Sequence, residues 1–482
     1  MTSHPVLPGS DGENFASLSR AATPRSERYG IGRRLRRTAP RSSLDRWSQA
    51  LRRVDPIDLV VATNAGRVPS LVPERIKRMS ASPHAFLRGA AAIHAADFAV
   101  LPSTGIHPVI CGDAHLGNFG FYASPERELV FDLNDFDEAH PGAWEWDLRR
   151  LVASTWVAGR DNDATEDQCG HAVARCVEAY HRHIARLAEA PLLERSFERL
   201  DAERLHKGAR HKRSRAAVAN AAKRARTRTS DRALPRFATS EGGARRIVVE
   251  PPLITRPDDE HRGQILAALD DYLETLPPHW ARILGGYRAV DVAHKVVGVG
   301  SVGLRAYLAL CEGSSPDDVL FLQLKQARRS VVAPFVHGNE AWHDHQGQRV
   351  VEYQQALQTV SDPLLGWTTI GDRRGGEPRQ YYVRQFRDMK GAVVLDGLDA
   401  TALADYAAVC GMLLAKGHAR TSGASMIAGY LGGGGKVRDA LCRFARAYAD
   451  QTERDHDALL RAIRSGRLSD APPRDVPDGD IG

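Results

Sequence analysis

Cysteine is scarce and scattered. The six residues, Cys111, Cys169, Cys176, Cys311, Cys410 and Cys442, include no Cys-x-x-Cys pair. That spacing argues against a structural zinc site and a disulfide framework, and a reducing compartment is the expected home. Long apolar runs are also missing. No stretch reaches the roughly 18 residues that a transmembrane helix needs. The opening MTSHPVLPGSDGENFASLSRAATP lacks the basic start and apolar core of a secretory signal. The expectation is a cytoplasmic protein without a membrane partner. Aromatic residues are absent from the basic segment Arg204–Arg236, RLHKGARHKRSRAAVANAAKRARTRTSDRALPR. Stacking of bases on it is therefore not expected. It reads as a solvated helix face and linker, with a phosphate-rich partner as the sharper alternative.

What is present is the composition of a globular chain: 482 residues, 43% hydrophobic, 26% charged, net charge +7. Residues 1–43 are polar and rich in Pro, Ser and Arg, and are expected to be a disordered basic tail. Residues 44–246 read as a mostly helical lobe, with Ser82 before Pro83 as a helix N-cap. Inside it, His107–Ala139 reads as strand, loop, hairpin, loop, with FGFY and ELVFDL pairing across ASPER. Residues 247–396 read as a β lobe: strand, glycine turn, strand, long turn, strand, helix, strand. Residues 397–468 are expected to be helices that pack on the helical lobe, and 469–482 a loose tail.

Chemistry concentrates in GDAHLGNFGFYASPERELVFDLNDFDEA, Gly112–Ala139. Asp113 and Asn118 share one loop after a strand, and Asp132, Asp135, Asp137 and Glu138 follow the next hairpin. Phosphoryl transfer needs an Asp facing the acceptor hydroxyl and hard oxygen ligands for magnesium. The alternative is a pair of Asp/Asn-rich turns that cap hairpins. His115 between them reads as a loop-shaping residue rather than a ligand. A second signal is Gly298-Val-Gly-Ser-Val-Gly303. A Rossmann glycine loop opens a helix, but β-like LRAYLAL follows here. Strand–glycine–strand is the arrangement that covers phosphates in kinases. Lys325 sits in the apolar strand LFLQLKQA, where an unpaired charge is costly. Glu352, in the helix RVVEYQQALQ, is its expected partner. Arg88, in AFLRGAA, reads as a brace for a carboxylate or a phosphate clamp, and His418 and Arg420 as cations suited to a helix C-terminus.

This set resembles the protein-kinase-like superfamily. Gly-Asp-x4-Asn is closer to the aminoglycoside and choline phosphotransferases than to the His-Arg-Asp of protein kinases. The resemblance implies an α+β, two-lobed protein-kinase-like fold with a helical lobe and a small antiparallel sheet. It implies ATP and Mg2+ as cofactors. Asp113 and Asn118 would be catalytic. Gly298, Gly300, Ser301, Gly303, Lys325 and Glu352 would surround the nucleotide, and Asn118, Asp135 and Asp137 the metal. Asp147 in WEWDLRRL would brace the catalytic loop. The motif order is inverted, with the catalytic loop before the glycine loop, so the resemblance implies a circular permutation. Cys111 stands where the phosphotransferases have His. RMSASPHAFLRG, CGDAHLGNFG, FDLNDFDEA, WEWDLRRL, KVVGVGSVGLRAY, LQLKQA, RVVEYQ, HART and YADQTERDH resemble the blocks of the bacterial domain of unknown function 2252 family, across about residues 35–460. The functional expectation is an ATP- and Mg-dependent phosphotransferase acting on a small hydroxylated or amine acceptor. The alternatives are a catalytically silent nucleotide-binding regulator, an AMP-transferring enzyme, a metallophosphoesterase (through Gly112-Asp113-Ala114-His115) and, least, a nucleic-acid binder.

Overall fold

The computed structural model describes residues 23–209, 211–241, 244–296, 301–336, 343–371, 378–421 and 423–470. Two hydrophobic cores are the largest among the described residues. The larger forms around the helix Trp144–Asp161, which is buried on nearly every face, as expected of a helix at the centre of a lobe rather than on its surface. Against it pack Glu166–Glu189, Ala400–Thr421 and Gly435–Arg464. A capping box starts Glu166–Glu189: Thr165 accepts from the Gln168 amide, and the Gln168 side chain accepts from the Thr165 amide. Two short hairpins sit on this lobe. Strands β1 (Val109–Ile110) and β4 (His140–Pro141) pair antiparallel and enclose a second pair, β2 (Phe119–Ala123) with β3 (Leu129–Leu133). The expected FGFY–ELVFDL hairpin is thus formed, with Phe119 opposite Leu133. Ser82 caps Pro83–Arg88 by accepting from the Ala85 amide at 3.2 Å.

The second lobe includes the hairpin β5 (Ala238–Glu241) and β6 (Ala244–Ile247). Its sheet contains β7 (Ile254–Thr255), β8 (Arg288–Lys295), β9 (Ala306–Glu312), β10 (Val319–Gln326), β11 (Gly366–Ile370) and β12 (Arg379–Gln385). All neighbours are antiparallel, in the order β11-β12-β10-β9-β8-β7. Alternation along a strand separates its two faces. Leu320, Leu322 and Leu324 meet Ile265, Leu269 and Tyr272 of the helix Asp259–Leu273 on one face. Phe321 shares the other face with Leu308, Leu310 and Ala293, under Phe237 and Ile247.

Two boundaries differ from the sequence expectation. The N-terminal tail is structured from residue 25. Arg25–Leu35 is a helix packed on Ala424–Leu431, and Arg36 Nε donates to Tyr430 O at 2.9 Å. A polar, Arg-rich helix carries almost no apolar signal. Its docking rests on buried Gly32 and on arginines that satisfy carbonyls. Residues 1–22 and 471–482 lie outside the described residues. The β lobe also begins earlier than 247, because Ser230–Phe237 and the β5–β6 hairpin pack on the sheet. No helix among the described residues is long and apolar enough to cross a membrane.

Candidate active site

One face of the central helix Trp144–Asp161 holds the whole loop 111–118. Asp147, Arg150 and Ser154 follow at spacings of three and four, so they line up on that face. Asp147 accepts from the amides of Cys111 (2.7 Å) and Gly112 (2.9 Å), and His418 Nε2 lies 3.3 Å away. Arg150 Nε donates to Asp113 Oδ1 at 2.8 Å. Ser154 Oγ accepts from the Leu116 amide at 3.1 Å. The bracing implied for Asp147 is therefore present, and His418 belongs to the same network. Arg150 and Ser154 were not singled out from the sequence. The signal was there in their helical spacing from Asp147. Gly112 is required at its position: its φ is +76°, and a Cβ would lie 2.2 Å from Glu138 O. The loop thereby presses directly on the segment that follows β3.

The hairpin β2–β3 brings the two acidic clusters together. Asn118 Nδ2 donates to Asp113 O at 2.7 Å, and the Asn134 amide to Asn118 O at 2.9 Å. His115 is buried and its Nδ1 accepts from the Gly117 amide at 3.0 Å. Burial first, then the charges of Arg150 and Arg88, hold its pKa well below the ordinary range, so it shapes the loop as a neutral ring. Asp132 departs from the expected cluster. It points into the helical core and forms a fully buried ion pair with Lys416.

Asp135, Asp137 and Glu138 reach the cleft. Lys325, on β10, donates to Asp137 Oδ2 at 3.0 Å, and Tyr382 Oη to Asp137 Oδ1 at 2.8 Å. Burial alone would raise the Asp137 pKa, but Lys325 and Tyr382 outweigh it and hold the carboxyl below the ordinary value. The expected Lys325–Glu352 pair is not formed. Glu352 is on the exposed side of the helix Gln346–Leu357, within 2.6 Å of His343 Nε2 and 2.8 Å of Gln348 Nε2. That helix turns Arg349 inward instead, donating to Asp137 O (2.8 Å), Ala139 O (2.5 Å) and Arg328 O (2.9 Å). Lys325 is satisfied by the nearer carboxylate. Asp135 has no such cation. Among the described residues its carboxylate accepts one long bond (3.4 Å), from the Asp137 amide, while its carbonyl oxygen accepts from Cys111 Sγ at 3.2 Å; burial and the Asp137 charge push its pKa up. Asp113 is likewise pushed up, to about 7, by burial against the opposing pull of Arg150. Glu138 Oε2 accepts from the Val331 amide at 2.7 Å.

The opposite wall is basic. Asp113, Asn118, Asp135 and the tip of the β8–β9 connection enclose a cleft of about 190 Å3 with Arg67, Arg75, Arg88, Arg328 and Arg329. Ser301 and Leu304 from that connection line it. Gly303, at φ +84°, accepts from the Val68 amide at 2.8 Å and docks the tip on the helical lobe. Gly298 and Gly300 lie outside the described residues. The strands expected on either side of the glycines are present, with β8 paired antiparallel to β9. The arginines were largely missed by sequence reasoning, because they come from a turn (Arg67), two helices (Arg75 and Arg88) and the segment after β10 (Arg328 and Arg329), far apart in the chain. Arg67 Nε and Arg328 Nη1 both donate to Thr63 O, at 2.9 and 3.3 Å. Burial, then Arg75 and Arg328, lower the Arg67 pKa to about 9. Burial and Arg328 lower that of Arg75 to about 10. Arg88, expected to brace a carboxylate, makes no ion pair among the described residues, and its buried Nε has no hydrogen-bond partner.

Beyond Gln323 the lysine-bearing face of the sheet is closed. Phe237 packs on Phe386 (ring centroids 5.4 Å apart) and Phe321 (6.4 Å). Among the described residues, no group of three or more His, Cys, Asp or Glu side chains is arranged to hold a metal by itself.

No curated protein and no solved structure matches the chain. The profile of the family described as "Uncharacterized protein conserved in bacteria (DUF2252)" matches residues 67–462, and the chain belongs to that family.

Proposed function

We propose that the chain is an ATP- and Mg-dependent phosphotransferase acting on a small hydroxylated or amine acceptor. The observation that carries the reading is the cleft itself. An aspartate near neutrality (Asp113), an amide (Asn118) and a carboxylate with no ion-pair partner among the described residues (Asp135) face a hairpin tip and a wall of arginines. Phosphoryl transfer needs little more than positioning and charge neutralisation. Asp135 and the Asn118 carbonyl oxygen are hard donors that fit Mg2+, which completes its shell with phosphate and water oxygens. The metal would bridge and neutralise phosphate oxygens. Asp113, fixed by Arg150, would orient the acceptor and take its proton. Asp137 is committed to Lys325 and Tyr382 and would orient that lysine. The strand order, with a hairpin, a lysine strand, a helix and two further strands, also suits the kinase-like resemblance in permuted order.

The cluster of Phe237, Phe321 and Phe386 favours a second reading, a nucleotide-binding regulator without turnover. With that cluster in place, a base has to rest at the rim of the cleft or displace Ser230–Phe237. Release of ADP over an acceptor panel separates the two readings. Turnover in the wild type, reduced about 10²–10⁴-fold in Asp113→Asn with nucleotide binding retained, is the result expected. Rate should fall tenfold per pH unit below about 7, where Asp113 takes up its proton. Nucleotide binding with no turnover on any acceptor would favour the regulator.

A further inference from the structure

The arginine wall is larger than a phosphate donor's tail requires, and it is built on the acceptor's side. Arg75 and Arg88 belong to the helical segments Val72–Met79 and Pro83–Arg88, on the same lobe as Asp113. Arg88 lies over the catalytic loop, its Nε 3.4 Å from the position a Gly117 Cβ would take. Arg75 is 2% exposed. Its fork is aimed by Asn64 Oδ1 (2.6 Å), Thr63 Oγ1 (3.2 Å) and Gly89 O (3.2 Å), and its Nε has no partner. Arg328 contributes from the end of β10. None of Arg67, Arg75, Arg88 or Arg328 forms an ion pair among the described residues, although Arg52, Arg150 and Arg160 of the same lobe do. Guanidinium groups held in a fixed fork suit a tetrahedral oxyanion. An unpaired cluster of them is costly to bury unless an anion is bound.

We propose that Arg75, Arg88 and Arg328 form an acceptor subsite beside Asp113, and that the acceptor is a small molecule carrying a phosphate group of its own. This rests on the phosphotransferase reading and narrows its substrate class. The phosphate of the acceptor would lie in the arginine forks, placing its free hydroxyl or amine at Asp113.

The test is calorimetric titration of inorganic phosphate into the protein saturated with Mg2+ and a non-hydrolysable ATP analogue. The expected result is phosphate binding to the nucleotide-loaded protein. Arg88→Gln should weaken it tenfold or more, with the analogue's affinity within twofold and an unchanged unfolding midpoint. Arg328→Gln, at a second position, should act in the same direction. Mutually exclusive binding of phosphate and analogue would give the wall to the donor's terminal phosphate and overturn the inference while sparing the phosphotransferase reading. Analogue binding with no phosphate binding at millimolar concentration would do the same. Failure of the analogue to bind would remove both.

Discussion

The two walls of the cleft handle charge in opposite ways. On the acidic wall the protein neutralises itself: Asp113 by Arg150, Asp137 by Lys325 and Tyr382, Glu138 by the Val331 amide. Among the described residues Asp135 has neither an ion-pair partner nor a close amide like that of Glu138. On the basic wall Arg67, Arg75 and Arg328 lean on neutral oxygens, and Arg88 has no partner for its Nε. Acids that are already paired or hydrogen-bonded leave little charge for a ligand to meet. A wall of like charges subtracts from the fold's stability and keeps its binding capacity for something else. Ligand is therefore to be sought opposite the paired acids and beside Asp135.

That comparison breaks most visibly at Lys325. Lys325→Met leaves Asp137 part-buried without its cation. The expected cost is about 3 kcal/mol, read by denaturant unfolding. Stability equal to wild type would mean that the pair does not hold the lobes' contact. Next in size is Asp147→Asn, which weakens two charge-assisted bonds to the Cys111 and Gly112 amides. About 1–3 kcal/mol should be lost, together with turnover, because the loop carrying Asp113 loosens. Retained turnover would show that Arg150 and Ser154 suffice to hold it. The smallest effect belongs to the other wall. Arg88→Leu should change stability by no more than about 0.5 kcal/mol, or raise it, since it relieves repulsion without breaking an ion pair. A loss like that at Lys325 would make the two walls alike.

Much of this was legible in the chain. The hairpins and the lysine strand follow from alternation and turn residues, and the Asp147 brace from the kinase-like resemblance. What was not legible depends on which side chain arrives first. Glu352 was the reasonable partner for Lys325, since it is the acid in the next helix. The loop from β3 brings Asp137 nearer, and helical phase turns Arg349 inward in its place. Asp132 looks like a fourth acid of the cluster, yet the strand's alternation sends it into the helical core toward Lys416. The arginine wall joins residues from 67 to 328, and no local pattern announces such a gathering.

On this reading metal-nucleotide binds in the cleft through Asp135. Thermal unfolding with MgATP, on the wild type and on Asp135→Ala, tests it most directly. At a hundred times the dissociation constant, a ligand of the native state adds about 2.7 kcal/mol. A raised midpoint in the wild type that shrinks in Asp135→Ala is the result predicted. No rise at saturating nucleotide, or an equal rise in both proteins, would contradict it.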